Sequence, residues 1–202
     1  MTLSPEFLLT AFIVCVTPGI GVVYTLSTTL GGGFRAGFWA SIGCTIATIL
    51  HLLVAMAGLA AVLHTSAVLF QVIKYAGVAY LLWMAWAVLS DHGSMALRAQ
   101  DGGPAGRLVW RGILLNILNP KLPLFFVAFL PQFLPEDATI AQMAELGIGF
   151  SAMTFAVFIL YALLAASGRQ AVLDRPGVMV WMKRAFAASF AGLGARLAFE
   201  RA

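Results

Sequence analysis

Charge is scarce in this chain: 8 Asp or Glu and 12 Lys or Arg in 202 positions, 10% in all. A water-soluble domain carries about 25%. So little charge beside 61% hydrophobic residues and a mean hydropathy of +0.95 excludes a soluble globular protein. Cysteine is almost absent as well. Cys15 and Cys44 stand far apart in apolar surroundings, with no CxxC and no paired metal-ligand spacing, so neither a disulfide framework nor a zinc site is written in the chain. No Ser/His nucleophile motif and no HExxH cluster is present, which argues against an intramembrane hydrolase. The chain therefore reads as a non-enzyme without metal or cofactor. Its net charge of +4 does not gather into a basic stripe, so nucleic acid is not an expected partner and the basic residues read as topology signals.

What is abundant is uninterrupted apolar sequence. No Asp, Glu, Lys or Arg occurs in 7–34, 36–73, 75–90, 122–135 or 146–168. Gaps of that size indicate bilayer spans of roughly 20 residues each. The longest gap exceeds one helix, and Leu63-His64-Thr65-Ser66 offers a polar turn within it. The expected spans are 7–29, 38–62, 67–89, 112–131, 143–167 and 178–199. The last is interrupted by Lys183, Arg184 and Arg196, so a five-span arrangement with a basic surface helix stays open. Residues 1–6 lack the positive start of a signal peptide, and the first segment is expected to remain in the mature chain. Six spans put eight basic residues in the loops of one side and two, Arg196 and Arg201, on the other. By the positive-inside rule those loops are cytoplasmic and both termini lie outside.

The segment around 91–111, with Asp101-Gly102-Gly103-Pro104, has the composition of a linker. It divides one transmembrane domain, residues 1–202, into repeats of about 1–90 and 112–202. Three spans per half force the second half to insert upside down, the arithmetic of an inverted repeat. Both halves break their first helix: Thr17-Pro18-Gly19 near the middle of span one, Asn119-Pro120-Lys121 near the middle of span four. Proline frees backbone groups that lipid cannot satisfy, so such breaks persist only against protein or a water-filled cavity. The helix start after a break favours an anion, for an amino acid its carboxylate, and freed carbonyls suit the ammonium group. A packed proline kink is the structural alternative.

Lys121 lies about ten residues beyond Arg111, about 15 Å into the bilayer at 1.5 Å per residue. A cation there costs roughly 2.5–17 kcal/mol, which makes a substrate or gating role the default. Pairing with carbonyls freed at Pro120 is the alternative. Asn116 and Asn119 share a helix face with one another. His51, in mid-span, suits either a proton relay or a helix-to-helix hydrogen bond. Lys74 is near enough to the outer end of span three to snorkel. Gly33, Gly37 and Ser41, like Gly43 and Ala47, are spaced by four for close helix packing. No acidic residue falls in mid-span, so no buried carboxylate for proton coupling is visible.

Together these residues resemble the LysE family of amino-acid exporters, the LysE/RhtB-type translocators, over nearly the whole chain. The resemblance rests on Pro18-Gly19, Leu30-Gly31-Gly32-Gly33, Arg35-Ala36-Gly37, Gly43, His51, Gly58 and the run from Lys74 to Trp83. Its most specific part is Gly112, Asn116 and Asn119-Pro120-Lys121 leading to Leu130-Pro131-Gln132-Phe133, and Gly192-Leu193-Gly194-Ala195-Arg196-Leu197 is similar to the family's last helix. The family's first break usually reads Pro-Gly-Pro, whereas Ile20 stands here in the third place. The resemblance implies an inner-membrane exporter of amino acids or close derivatives, driven by the proton gradient. Its substrate path is expected at Pro18, Gly19, His51, Lys74, Asn116, Asn119, Pro120 and Lys121. The expected partners are an amino-acid substrate and the lipid bilayer, and a homodimer is compatible with the sequence. Two other classes compete. A metal-cation exporter is disfavoured by Lys121 and the lack of buried acids. A thiol-redox carrier would use Cys15, but no cysteine stands near Pro120.

Overall fold

The computed structural model describes residues 3–16, 19–63, 102–118, 130–135 and 138–168, together with isolated helical positions in 72–86, at 122 and 126, and in 184–195. Every regular element among the described residues is helical. Helix α1 is Pro5–Val16. Proline suits a first helical position, where its missing N–H is no loss, and the Ser4 hydroxyl just before it accepts from the Phe7 amide at 3.2 Å. Helix α2, Ile20–Leu63, is two arms joined at Gly33, whose φ of 72° and ψ of −176° are not helical. That backbone region is open essentially to glycine alone.

The chain turns back on itself at this one residue. Cys44 Sγ approaches the Gly21 carbonyl at 3.9 Å, and a Cβ on Gly37 would strike the Thr29 side chain. The expected loop around 30–37 is thus a single glycine between two helices. Helix α3, Ala105–Ile117, starts at Gly103-Pro104, earlier than the expected 112. Arg107 and Arg111 lie on its exposed face, so these charges do not end the helix although they mark the end of its apolar run. A 3-10 turn, Leu130–Phe133, precedes helix α4, Ile140–Ser167. Thr139 and Gln142 cap α4 reciprocally: the Gln142 amide donates to the Thr139 hydroxyl at 3.3 Å, and the Thr139 amide to Gln142 Oε1 at 2.8 Å. Their spacing is that of a capping box.

Contacts along the helices fix their directions. Leu3 lies against Gly149 and Tyr161 reaches Val16, so α1 runs parallel to α4. Phe38 packs edge-on against Phe155 at 6.2 Å while Met56 meets Gly147, so the second arm of α2 runs antiparallel to α4. Gly43 lies by Val109 and His51 by Asn116, so that arm runs parallel to α3. The α2–α3 crossing is unusually close. A Cβ on Gly112 would sit 3.1 Å from the Ala40 carbonyl, and one on Gly43 would fall on the Val109 backbone. Small residues allow this approach where lipid supplies no hydrophobic drive between helices.

The stretch Ile20–Gly58, which holds the turn at Gly33 and most of the second arm of α2, and Ile140–Ser167 are by length and composition apolar enough to cross a membrane. Large apolar side chains are exposed along them, including Leu53, Val54, Ile148 and Leu164. The expected third and sixth spans fall almost wholly outside the described residues.

Candidate functional site

Two helix ends frame the site. Helix α1 stops at Val16 and the chain resumes as helix at Ile20; the expected break at Pro18 lies in this interval. The last carbonyls of a helix have no partner within it. Here the Val16 carbonyl accepts from the Tyr161 hydroxyl of α4. One residue earlier, Cys15 Sγ lies 3.3 Å from Thr154 Oγ1. That hydroxyl already donates to the Phe150 carbonyl at 2.9 Å, so the thiol is the donor.

Helix α3 closes in a corresponding way. It ends at Ile117, and Leu118 follows as its cap with its amide bonded to the Leu114 carbonyl. The Asn116 carbonyl accepts from His51 Nε2 at 3.1 Å. A carbonyl can only accept, so Nε2 carries a proton. The Asn116 side chain is buried, donates to the Gly112 carbonyl at 3.2 Å and lies against Gly21. Asn116 therefore binds three helical segments: its own, the first arm of α2 by contact and the second arm through His51.

Of the residues expected on the substrate path, Gly19, His51 and Asn116 are described. Gly19 is half-buried in non-helical backbone, and its carbonyl accepts from the Val23 amide at 3.0 Å. His51 and Asn116 meet directly. Pro18, Lys74, Asn119, Pro120 and Lys121 lie outside the described residues.

The first arm of α2 adds polar residues that the motif reading passed over. Gly21, Thr25 and Thr28 recur along one face. Gly21 meets the Asn116 amide, Thr25 lies beside Cys44, and Thr28 lies beside Tyr24. The Tyr24 hydroxyl donates to the Leu108 carbonyl of α3 at 2.8 Å, and the Arg111 guanidinium stands 6.0 Å above the Tyr24 ring. Thr25 and Thr28 are fully buried, and neither hydroxyl makes a hydrogen bond of ordinary geometry. The recurrence at i, i+4 and i+7 after a helix break was the available signal.

Both cysteines are buried free thiols. Among the described residues no three His, Cys, Asp or Glu side chains gather as metal ligands. A separate groove of about 540 Å³ runs between the second arm of α2 and α4, past Ile49, Leu53, Met56, Ile148 and Phe155. The Thr45 and Ser151 hydroxyls at its edge are engaged by their own helices, which leaves the groove apolar.

The LysE type translocator profile matches residues 12–201. A leucine efflux protein of Enterobacter sp. (strain 638) is 35% identical over 162 residues, 73% of this chain and 74% of its own. A homoserine/homoserine lactone efflux protein of Salmonella typhi is 30% identical over 197 residues, 96% of this chain and 95% of its own. An uncharacterized membrane protein of Vibrio cholerae is 33% identical over 199 residues, 97% and 96% of the two chains. No solved structure matches. With the match running from the first helix to the end of the chain, this all-helical membrane protein belongs to the LysE type translocator family.

Proposed function

We propose that this protein exports amino acids or close derivatives from the cytoplasm, as the names of its relatives suggest. The observation that carries the reading is the pair of interrupted helix ends, each with its terminal carbonyl held by a side chain from a packed helix: Val16 by Tyr161 and Asn116 by His51. Non-helical backbone at membrane depth is tolerated where it lines a cavity or is buried in protein, and secondary transporters bind substrate at such breaks. The substrate carboxylate would sit at the helix start after Gly19 and its ammonium at carbonyls freed near Pro120. Lys121 would gate the path or contact the carboxylate, with Asn116, Asn119 and Pro18 around them. Lys74 would lie on the outer approach.

The same reading takes the chain as one domain of six spans in two inverted repeats joined by the linker, in the inner membrane with both termini outside. It is supported by the exchange of partners between the halves: α1 packs parallel to α4, and α3 packs parallel to the second arm of α2. Coupling to the proton gradient and assembly as a homodimer complete the proposal. The test is efflux of a labelled amino-acid mixture from loaded cells, followed for all species at once. Accelerated loss of a few related amino acids, abolished by Lys121→Ala with the variant present in the membrane, is expected. Normal export by that variant would remove Lys121 from the path, and no accelerated loss of any amino acid would overturn the exporter reading.

A further inference from the structure

Hydroxyls inside membrane helices normally turn back on their own backbone, because lipid offers them no other partner. Thr29, Ser41, Thr45, Thr48, Ser151 and Thr154 each donate to the carbonyl four residues earlier, at 2.7–3.1 Å. Thr25 and Thr28 do not. Both are 0% exposed, and neither side-chain oxygen makes a hydrogen bond of ordinary geometry, although the Cys44 thiol lies beside Thr25 and the Tyr24 hydroxyl beside Thr28. The same back-bond would spare each of them the cost of an unmet buried hydroxyl. The two hydroxyls, one turn apart, lie near the junction of both arms of α2 with α3: Cys44 stands beside Thr25 and Tyr24 beside Thr28, and Asn116 meets Gly21 one turn before Thr25.

We propose that the Thr25 and Thr28 hydroxyls bind the side chain of the exported amino acid and select a polar, uncharged side chain over an apolar one of the same shape. The inference rests on the exporter reading and extends its site toward Gly33. Thr25 lies about 7–8 Å along the helix from its start at Ile20, at 1.5 Å per residue. A carboxylate bound at that start would leave the hydroxyls beyond the substrate's own backbone groups and within reach of its side chain. A neutral hydroxyl both donates and accepts, which suits a hydroxyl or amide and does little for a charged group.

Threonine and valine, which differ by a hydroxyl in place of a methyl, are the probes. Cells expressing the full chain are loaded with both, labelled, and efflux is measured for wild type, the Thr25→Val/Thr28→Val double variant and the corresponding double Ser variant. Wild type is expected to favour threonine. The Val variant should lower the threonine-to-valine ratio about tenfold, chiefly through the KM for threonine, because a site that hydrogen-bonds a substrate hydroxyl rejects the analogue lacking it. The Ser variant should keep the preference. Thermal unfolding in detergent gives an independent readout: with no hydrogen bond of ordinary geometry to lose, the Val variant should unfold at the same temperature as wild type or higher. A lower unfolding temperature would mean the hydroxyls are structural, and the inference falls. An unchanged ratio, or equal loss of both substrates, also overturns it while wild-type efflux leaves the exporter reading standing. If wild type exports no amino acid, both fall together.

Discussion

His51 Nε2 stands 3.1 Å from the Asn116 carbonyl and ties the second arm of α2 to the end of α3. That carbonyl lies in the last turn of its helix, where the regular i+4 amide is missing; besides the Leu118 cap amide, the imidazole is its partner from another helix. His51→Leu removes this cross-helix bond and should lower stability by about 0.6 kcal/mol and at most about 1.7, with slower efflux. His51→Gln keeps a donor and should recover part of both. Thermal unfolding of the purified variants beside an efflux assay checks this, and an unaffected Leu variant would show that the bond contributes nothing.

Gly33→Ala should damage the protein more than its small volume suggests. At φ 72° and ψ −176° a Cβ is strained whatever the surrounding space, at about 1–3 kcal/mol. A Cβ there meets no neighbour within 4 Å, so the backbone alone would be responsible. Membrane yield and unfolding temperature are the readouts, with wild-type values for both counting against the hairpin geometry.

The close α2–α3 crossing predicts an order between two glycines. Gly43→Ala drives a methyl into the Val109 backbone, whereas at Gly112 the nearest atoms lie 3.1–3.2 Å from the added carbon. Overpacking typically costs about 1–3 kcal/mol. Gly43→Ala should fall at or above the top of that range and Gly112→Ala near the bottom, and unfolding temperatures in the reverse order would contradict the crossing.

Much of this geometry is legible in the sequence, for identifiable reasons. The interruption between Val16 and Ile20 announces itself because proline acts on its own backbone, and the four-residue spacing of Gly33, Gly37 and Ser41 and of Gly43 and Ala47 announces close packing, which is found at Gly37 and Gly43 but not at Gly33, where an added Cβ meets nothing within 4 Å. The extent of helix around 30–37 does not, since glycines and Arg35 look like a loop while the chain turns at Gly33 alone. Nor does the start of α3, where a scan for charge stops at Arg111 although the helix begins at Ala105. The union of His51 with Asn116, and the missing back-bonds of Thr25 and Thr28, depend on partners distant in sequence or on a choice of rotamer, which residue type alone does not set.

Tyr161 tests whether the first helix end uses its cross-helix bond as the second does. Its hydroxyl donates to the Val16 carbonyl next to the break, and Tyr161→Phe removes that donor while keeping the ring. Hydrogen bonds between membrane helices are worth about 0.6 kcal/mol on average and at most about 1.7, so the loss in stability should be modest. If the bond holds the end of α1 in place for transport, the efflux rate should drop by more than this stability change accounts for. Tyr161→Phe with wild-type efflux and a slightly lowered unfolding temperature would instead mark the bond as packing alone, and would separate the roles of the two helix ends despite their similar geometry.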